Sequence, residues 1–162
     1  MRYFNFANGY KNFNFMKKIS SIVALLLIVM GAHATDPSAS MKPIMTKATQ
    51  VLDLIEDDHD LEVVRMEFDI LRNTKTTIRT LSKGWTYLIL AFGDDRFKDI
   101  DVRVYRKEKG GWTLVEKDND SSEVAAVTVV PSYTEEYKIE ITAYQFESGY
   151  DVGHYGLVIA HE

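Results

Sequence analysis

From Met41 the apolar side chains recur at Met41, Ile44, Met45, Ala48, Val51, Leu52 and Ile55, one stripe at helical spacing. This predicts a helix from about Ser40 to Ile55, with Ser40 as N-cap and Pro43 tolerated within the first turn. Beyond it the period changes to two. Val64, Met66, Phe68 and Ile70 alternate with Arg65, Glu67 and Asp69, as a strand with one buried face requires. Similar runs follow at about 75 to 81, 85 to 92, 99 to 107, 112 to 117, 124 to 130, 136 to 146 and 154 to 160. Turn chemistry separates several of them: KGW at 83 to 85, GDD at 93 to 95, KGGW at 109 to 112, DNDSS at 118 to 122 and PSYTEE at 131 to 136. Gly110-Gly111 predicts a tight hairpin, because glycine supplies the positive φ of the favoured turns. Seven or eight short strands at this spacing predict an antiparallel β-sandwich, jelly-roll-like, with one N-terminal α-helix laid across an end or an edge.

The first 34 residues do not read as part of that domain. KKISSIVALLLIVMGAHA, residues 17 to 34, passes from two lysines through an apolar run to Ala32-His33-Ala34, a signal-peptidase pattern. The run from Ile22 to Met30 is well short of the roughly 20 residues that span a bilayer. We therefore read 16 to 34 as a signal peptide cleaved after Ala34, with no stable membrane insertion afterwards. Met16 precedes the two lysines as a signal's own initiator would, so residues 1 to 15 read as an upstream extension of the frame. Residues 35 to 162 then form a single domain of 128 residues, large enough for a real core.

Charge narrows the partners. The first 34 residues hold four of the 19 basic residues and none of the 24 acidic ones, so the mature chain carries 15 against 24, a net of −9. Such a surface argues against nucleic acid and anionic lipid, which want basic patches, and is compatible with a protein or glycan partner. There is no cysteine, hence no disulfide, no thiol nucleophile and no lipidated lipobox cysteine. The expected location is periplasmic or secreted.

GWTYLILAF, DIDVRVYRK, the Gly-Gly hairpin with EKDND, VVPSYTEEYKIEITA and GHYGLVIA follow one another between Gly84 and Ile159. In order and spacing this segment resembles the bacterial pre-peptidase C-terminal domain family, although Glu136 stands where the family usually has glycine before its tyrosine. The resemblance implies a jelly-roll-like sandwich that binds or presents something without catalysis, and in some relatives binds calcium.

Calcium wants six to eight oxygens gathered from several carboxylates and carbonyls. The candidates are Asp94 and Asp95 after one strand, Asp99 and Asp101 in the next, and Asp118 and Asp120 in the turn after its hairpin partner. The hairpin returns the chain to the end from which it left, so these acids are expected to converge. Solvated turns and strand faces are the competing explanation. EDDHD at 56 to 60 reads as a solvated helix end. His154 and His161, seven apart on one predicted strand, face opposite ways, and Ser121 and Ser122 lack a nucleophile-elbow context. No catalytic residue is assigned. Trp112, Tyr133 and Tyr150 are the aromatics expected at the surface, where they would offer a stacking platform. The reading is an exported binding or accessory module, with a small structural or inhibitor-like protein docking through its helix or a sheet edge as the alternative.

Overall fold

The computed structural model describes residues 40 to 162; the expected leader, its cleavage site and the upstream extension lie outside them. Helix α1 spans Lys42–Leu52 and runs on as π-helical turns over Asp53–Asp58. Eight strands follow: β1 Glu62–Leu71, β2 Thr74–Leu81, β3 Tyr87–Gly93, β4 Phe97–Glu108, β5 Gly111–Asp118, β6 Val124–Val129, β7 Glu135–Phe146 and β8 Gly153–His161. They form two four-stranded sheets, β1-β8-β3-β6 and β2-β7-β4-β5, antiparallel throughout. This is the strand order of a jelly roll. The hairpin predicted at the two glycines is present, with Glu108 opposite Gly111 and the latter at φ +138.

Two apolar layers hold the molecule. Between the sheets lie Ile89, Ala91, Ile100, Val102, Val104, Ile139, Ile141, Leu157 and Ile159, all essentially inaccessible to water. A second layer fills the outer side of the first sheet, where Ile44, Ala48, Val51, Leu54 and Ile55 pack on Leu88, Leu90, Phe92, Val158 and Ala160. The helix therefore lies over a sheet face, not across an end or an edge as its amphipathic pattern alone had suggested. Its position explains why YLILAFG in β3 and HYGLVIA in β8 do not alternate: both faces of these central strands are covered. Each fully buried aliphatic side chain adds about 1.5–3 kcal/mol, so the helix is a structural layer and not an appendage.

Three corrections concern the helix and β1. Ser40 receives the Lys42 N–H at 3.2 Å, but the cap position itself is Met41, without a side-chain bond. The helix does not stop at Ile55: the wider π-helical winding carries it to Asp58 and brings Leu54 and Ile55 onto the sheet, while Glu56, Asp57 and Asp58 stay solvated as expected. Asp60 then ends it at φ 55, a left-handed conformation that aspartate tolerates. In β1 the register slips between Val63 and Arg65, so Val63, Met66 and Phe68 pack beneath the helix while Val64 is exposed; Ile70, in phase with Met66 and Phe68, is exposed near the end of the strand. A bulge shifts the phase of every residue on one side of it, which strict alternation cannot anticipate.

Candidate functional site

Strands β3 and β4, β5 and β6, and β7 and β8 connect at one end of the sandwich, and there the predicted acids gather into separate groups. Asp94 is buried, accepts the His154 N–H at 2.9 Å and holds Arg96, whose Nε is 3.0 Å from each carboxylate oxygen. Burial pushes the Asp94 carboxyl up, but the Arg96 side chain and the two backbone N–H groups outweigh it and leave it below its ordinary value. Arg96 also reaches His154 Nδ1 at 2.6 Å. Asp95 belongs to a second group: Lys47, buried in α1, lies 3.1 Å from Asp95 and 2.7 Å from Glu123. Burial raises the Glu123 carboxyl above its ordinary value despite the bond from Lys47. This ion triad joins the helix to the β3–β4 turn and to the start of β6.

The third group contains Asp99, Asp101 and Asp118. Asp99 and Asp101 are each only 3% exposed, far from the solvated strand face that acids usually occupy. Burial lifts both, Asp99 and Asp118 add to the rise at Asp101, and Arg103 at 3.3 Å offsets part of it. The Ser122 N–H and the Ser121 hydroxyl favour the charged form of Asp99, yet its Oδ1 is buried without a hydrogen-bond partner. Asp118 is occupied by backbone, with Oδ1 on the Asp120 N–H at 3.0 Å and Oδ2 on the Ala126 N–H at 2.8 Å. Asp120 is exposed. The sequence thus foresaw the meeting of DIDV with DND, but not its division. Among the described residues no three acidic or histidine side chains are placed to share a metal ion. The orphan oxygen of Asp99 is the one feature that suits a cation, while Arg96, Lys47 and backbone N–H groups already engage Asp94, Asp95 and Asp118. As a set, the six acids do not fit a calcium centre.

The aromatics called from the sequence fall at opposite ends. Trp112, half-buried at the start of β5, and Tyr133, 68% exposed before β7, belong to the far end. Tyr150 is half-buried in the β7–β8 loop beside the acids, its N–H on Glu147 O at 3.1 Å. They make no common platform. His154 and His161 are likewise separated by the length of β8, the latter stacked on Trp85 with ring centroids 4.1 Å apart.

What alternation did encode, without being recognised as a site, is the outer face of the β2-β7-β4-β5 sheet. Its register sets side chains in rows across the strands. One row is Ile78, Lys138, Tyr105 and Leu114, with the Lys138 ammonium 4.0 Å from the Tyr105 ring centroid. The row on one side is Thr80, Glu136, Lys107 and Trp112, in which Lys107 pairs with Glu136. On the other side come Thr76, Glu140, Arg103 and Lys117, then Thr74, Thr142 and Asp101. Glu140 accepts from the Tyr105 hydroxyl at 3.2 Å and lies 3.7 Å from Lys138 and 3.8 Å from Arg103. Ile78 and Leu114 are exposed, as is Tyr144 further along β7.

No family model and no curated protein matches the sequence. Among solved structures the fold is similar to the Yersinia pseudotuberculosis-derived mitogen, at 10% identity and TM-score 0.46, covering 60% of this chain and 85% of that one. It is also similar to the pre-peptidase C-terminal domain of a collagenase from Bacillus anthracis, at 9% identity and TM-score 0.45, covering 59% and 87%. A third is the Aeromonas hydrophila periplasmic inhibitor of g-type lysozyme, at 10% identity and TM-score 0.43, covering 63% and 88%.

Proposed function

We propose that this chain is an exported, non-catalytic binding module, released by cleavage after Ala34, that meets a protein or glycan partner with the open outer face of the β2-β7-β4-β5 sheet. The observation that carries the reading is an asymmetry. One sheet has its outer face covered by α1, whereas the other presents Ile78, Leu114 and Tyr144 among charged side chains with nothing packed over them in the described chain. Asp94, Asp95 and Asp118 are engaged with Arg96, Lys47 and backbone groups, which favours binding over turnover at these acids.

Docking through an edge, the inhibitor-like alternative, finds less support. Each edge is blunted by a recognised device. β2 turns Lys75 and Arg79 toward Asp69 and Glu67 of β1, β1 is bulged at Val64, and β5 is bulged beside Tyr105. Along β6 the Ala126 N–H is taken by Asp118. The apolar stripe of α1 is itself consumed by the sheet.

The test is retention. Immobilised protein is challenged with secreted proteins and with insoluble polysaccharides, and compared with an Ile78→Asp/Leu114→Asp variant of unchanged melting temperature. Loss of the retained partner in the variant supports the reading; equal retention by both, or none by the wild type, overturns it.

A further inference from the structure

Resting on that reading, we propose that the ligand of the open face is an uncharged oligosaccharide lying across the strands along the row Ile78, Lys138, Tyr105 and Leu114. Size is the first argument. Four strands span about 14 Å and four rows about 20 Å, a projected area of roughly 300 Å². The apolar part of the face is a single one of these rows, about 14 Å long and one side chain wide, which suits a linear ligand.

Charge is the second. Four cations, Arg103, Lys107, Lys117 and Lys138, stand among the carboxylates Glu136 and Glu140, with the buried Asp101 beside Arg103. Lys107 is paired with Glu136, Arg103 with Asp101 and Glu140, and Lys138 with Glu140, while Lys117 stabilises the charge of Asp101. Apart from Lys117, these cations would have to leave their pairs to meet an ionic ligand. A neutral one can add hydrogen bonds to groups that already hold one another in place, with little further loss of side-chain freedom.

The third argument is the order of the rows. Ile78, the Lys138 stem, Tyr105 and Leu114 make an apolar strip one row wide, with Trp112 beside its end. On either side run hydrogen-bonding groups: Glu136 with Lys107, Glu140 with Arg103, and the hydroxyls of Thr74, Thr76, Thr80 and Thr142. A ligand that matches has apolar flat faces and a rim of hydroxyls along its whole length. A chain of pyranose rings has that pattern, and an extended peptide, with alternating side chains and a row of amides, does not.

The purified full chain is run through native gels containing soluble neutral polysaccharides (a β-glucan, a xylan and a galactan) or acidic polygalacturonate. Calorimetry with oligosaccharides of any retarding polymer follows. The expected result is retardation by a neutral polymer, with affinity unchanged within about twofold when salt is raised from about 0.05 to 0.5 M, because no net charge attraction is involved. Ile78→Asp and Leu114→Asp should each weaken it at least about tenfold, and Tyr133→Ala at the far end should leave it unchanged. Retardation by polygalacturonate alone, by no polymer, or undiminished in the two face variants would overturn the proposal. If a protein is retained through the face in the preceding test while no polysaccharide is bound, this inference falls and the binding-module reading stands. If nothing bound depends on Ile78 or Leu114, both fall.

Discussion

The two sheets present their outer faces to very different surroundings. That of β1-β8-β3-β6 is buried under a helix, and its residues are those of a core: Leu88, Leu90, Phe92, Val158 and Ala160. That of β2-β7-β4-β5 is open, and its rows mix Lys, Glu, Arg, Thr and aromatic side chains. Both sheets have the same number of strands and share one inner core, so the fold alone does not dictate the difference. It lies in the outward-facing positions, which on one side are matched to the stripe of α1 and on the other are left to meet something else. Close packing on the covered side is visible in its glycines. A Cβ at Gly156 would come within 2.3 Å of the Phe92 ring on that side, while one at Gly153 would come within 2.2 Å of Phe97 in the core between the sheets, so these positions in GHYGLV are hollows that receive rings.

Mutations on the two faces should differ accordingly. The largest effect is expected from Phe92→Ala, which empties a site packed against Phe68 and Gly156 and should cost about 3–5 kcal/mol in urea denaturation. A loss under 1 kcal/mol would mean that the helix layer is loosely seated.

Next comes Lys47→Met, which strands Asp95 and Glu123. Their side chains retain contact with water, 26% and 23% exposed, so the cost should be about 1–3 kcal/mol rather than that of a fully buried pair. The pH dependence has a definite sign. Glu123 titrates above its unfolded value in the native state, so the stability it contributes is present below the unfolded value and is lost as pH rises through the native one. Without Lys47 that loss grows, and the deficit of the variant should be largest near pH 7 and smallest near pH 4. Melting curves across that range would decide; a deficit independent of pH would mean that Lys47 matters through packing alone.

A smaller effect, of opposite direction, is expected at the acid end. Asp99 is also raised by burial, so its ionisation works against the fold as pH increases through its native value. Asp99→Asn should therefore be as stable as the wild type at pH 7 or more stable by up to about 1 kcal/mol, the difference fading in acid. A saturable, calcium-specific rise in wild-type melting temperature that the variant lacks would refute this and make the orphan oxygen a cation ligand after all. The smallest change belongs to the open face. Tyr144→Ala, at a side chain 70% exposed, should move stability by no more than about 0.5 kcal/mol. A larger loss would show that the open face also carries part of the fold.

Much of the architecture was readable because periodicity is a local property. The helix, all eight strands, the Gly110-Gly111 hairpin and the antiparallel sandwich follow from spacing and turn chemistry. The burial of Lys47 was not read, although it stands three residues after Ile44 and four before Val51, squarely on the apolar stripe. A lysine there signals buried carboxylates elsewhere, but the stripe does not say that they are Asp95 and Glu123. The convergence of Asp99 and Asp101 with Asp118 was legible from the hairpin. Their exclusion from water was not, because it depends on how the 119 to 123 segment crosses to the other sheet.

The sequence by itself determined the elements, their antiparallel pairing and the class of fold, since each depends on side chains two, three or four positions apart. Only the tertiary structure decided which sheet the helix covers, how the acids are divided among cations and backbone N–H groups, and which rows the open face displays. Those outcomes depend on register between strands far apart in the chain. A single bulge, at Val64 in β1 or in β5 opposite Tyr105, changes which side chains share a row while leaving the local pattern of the sequence almost untouched.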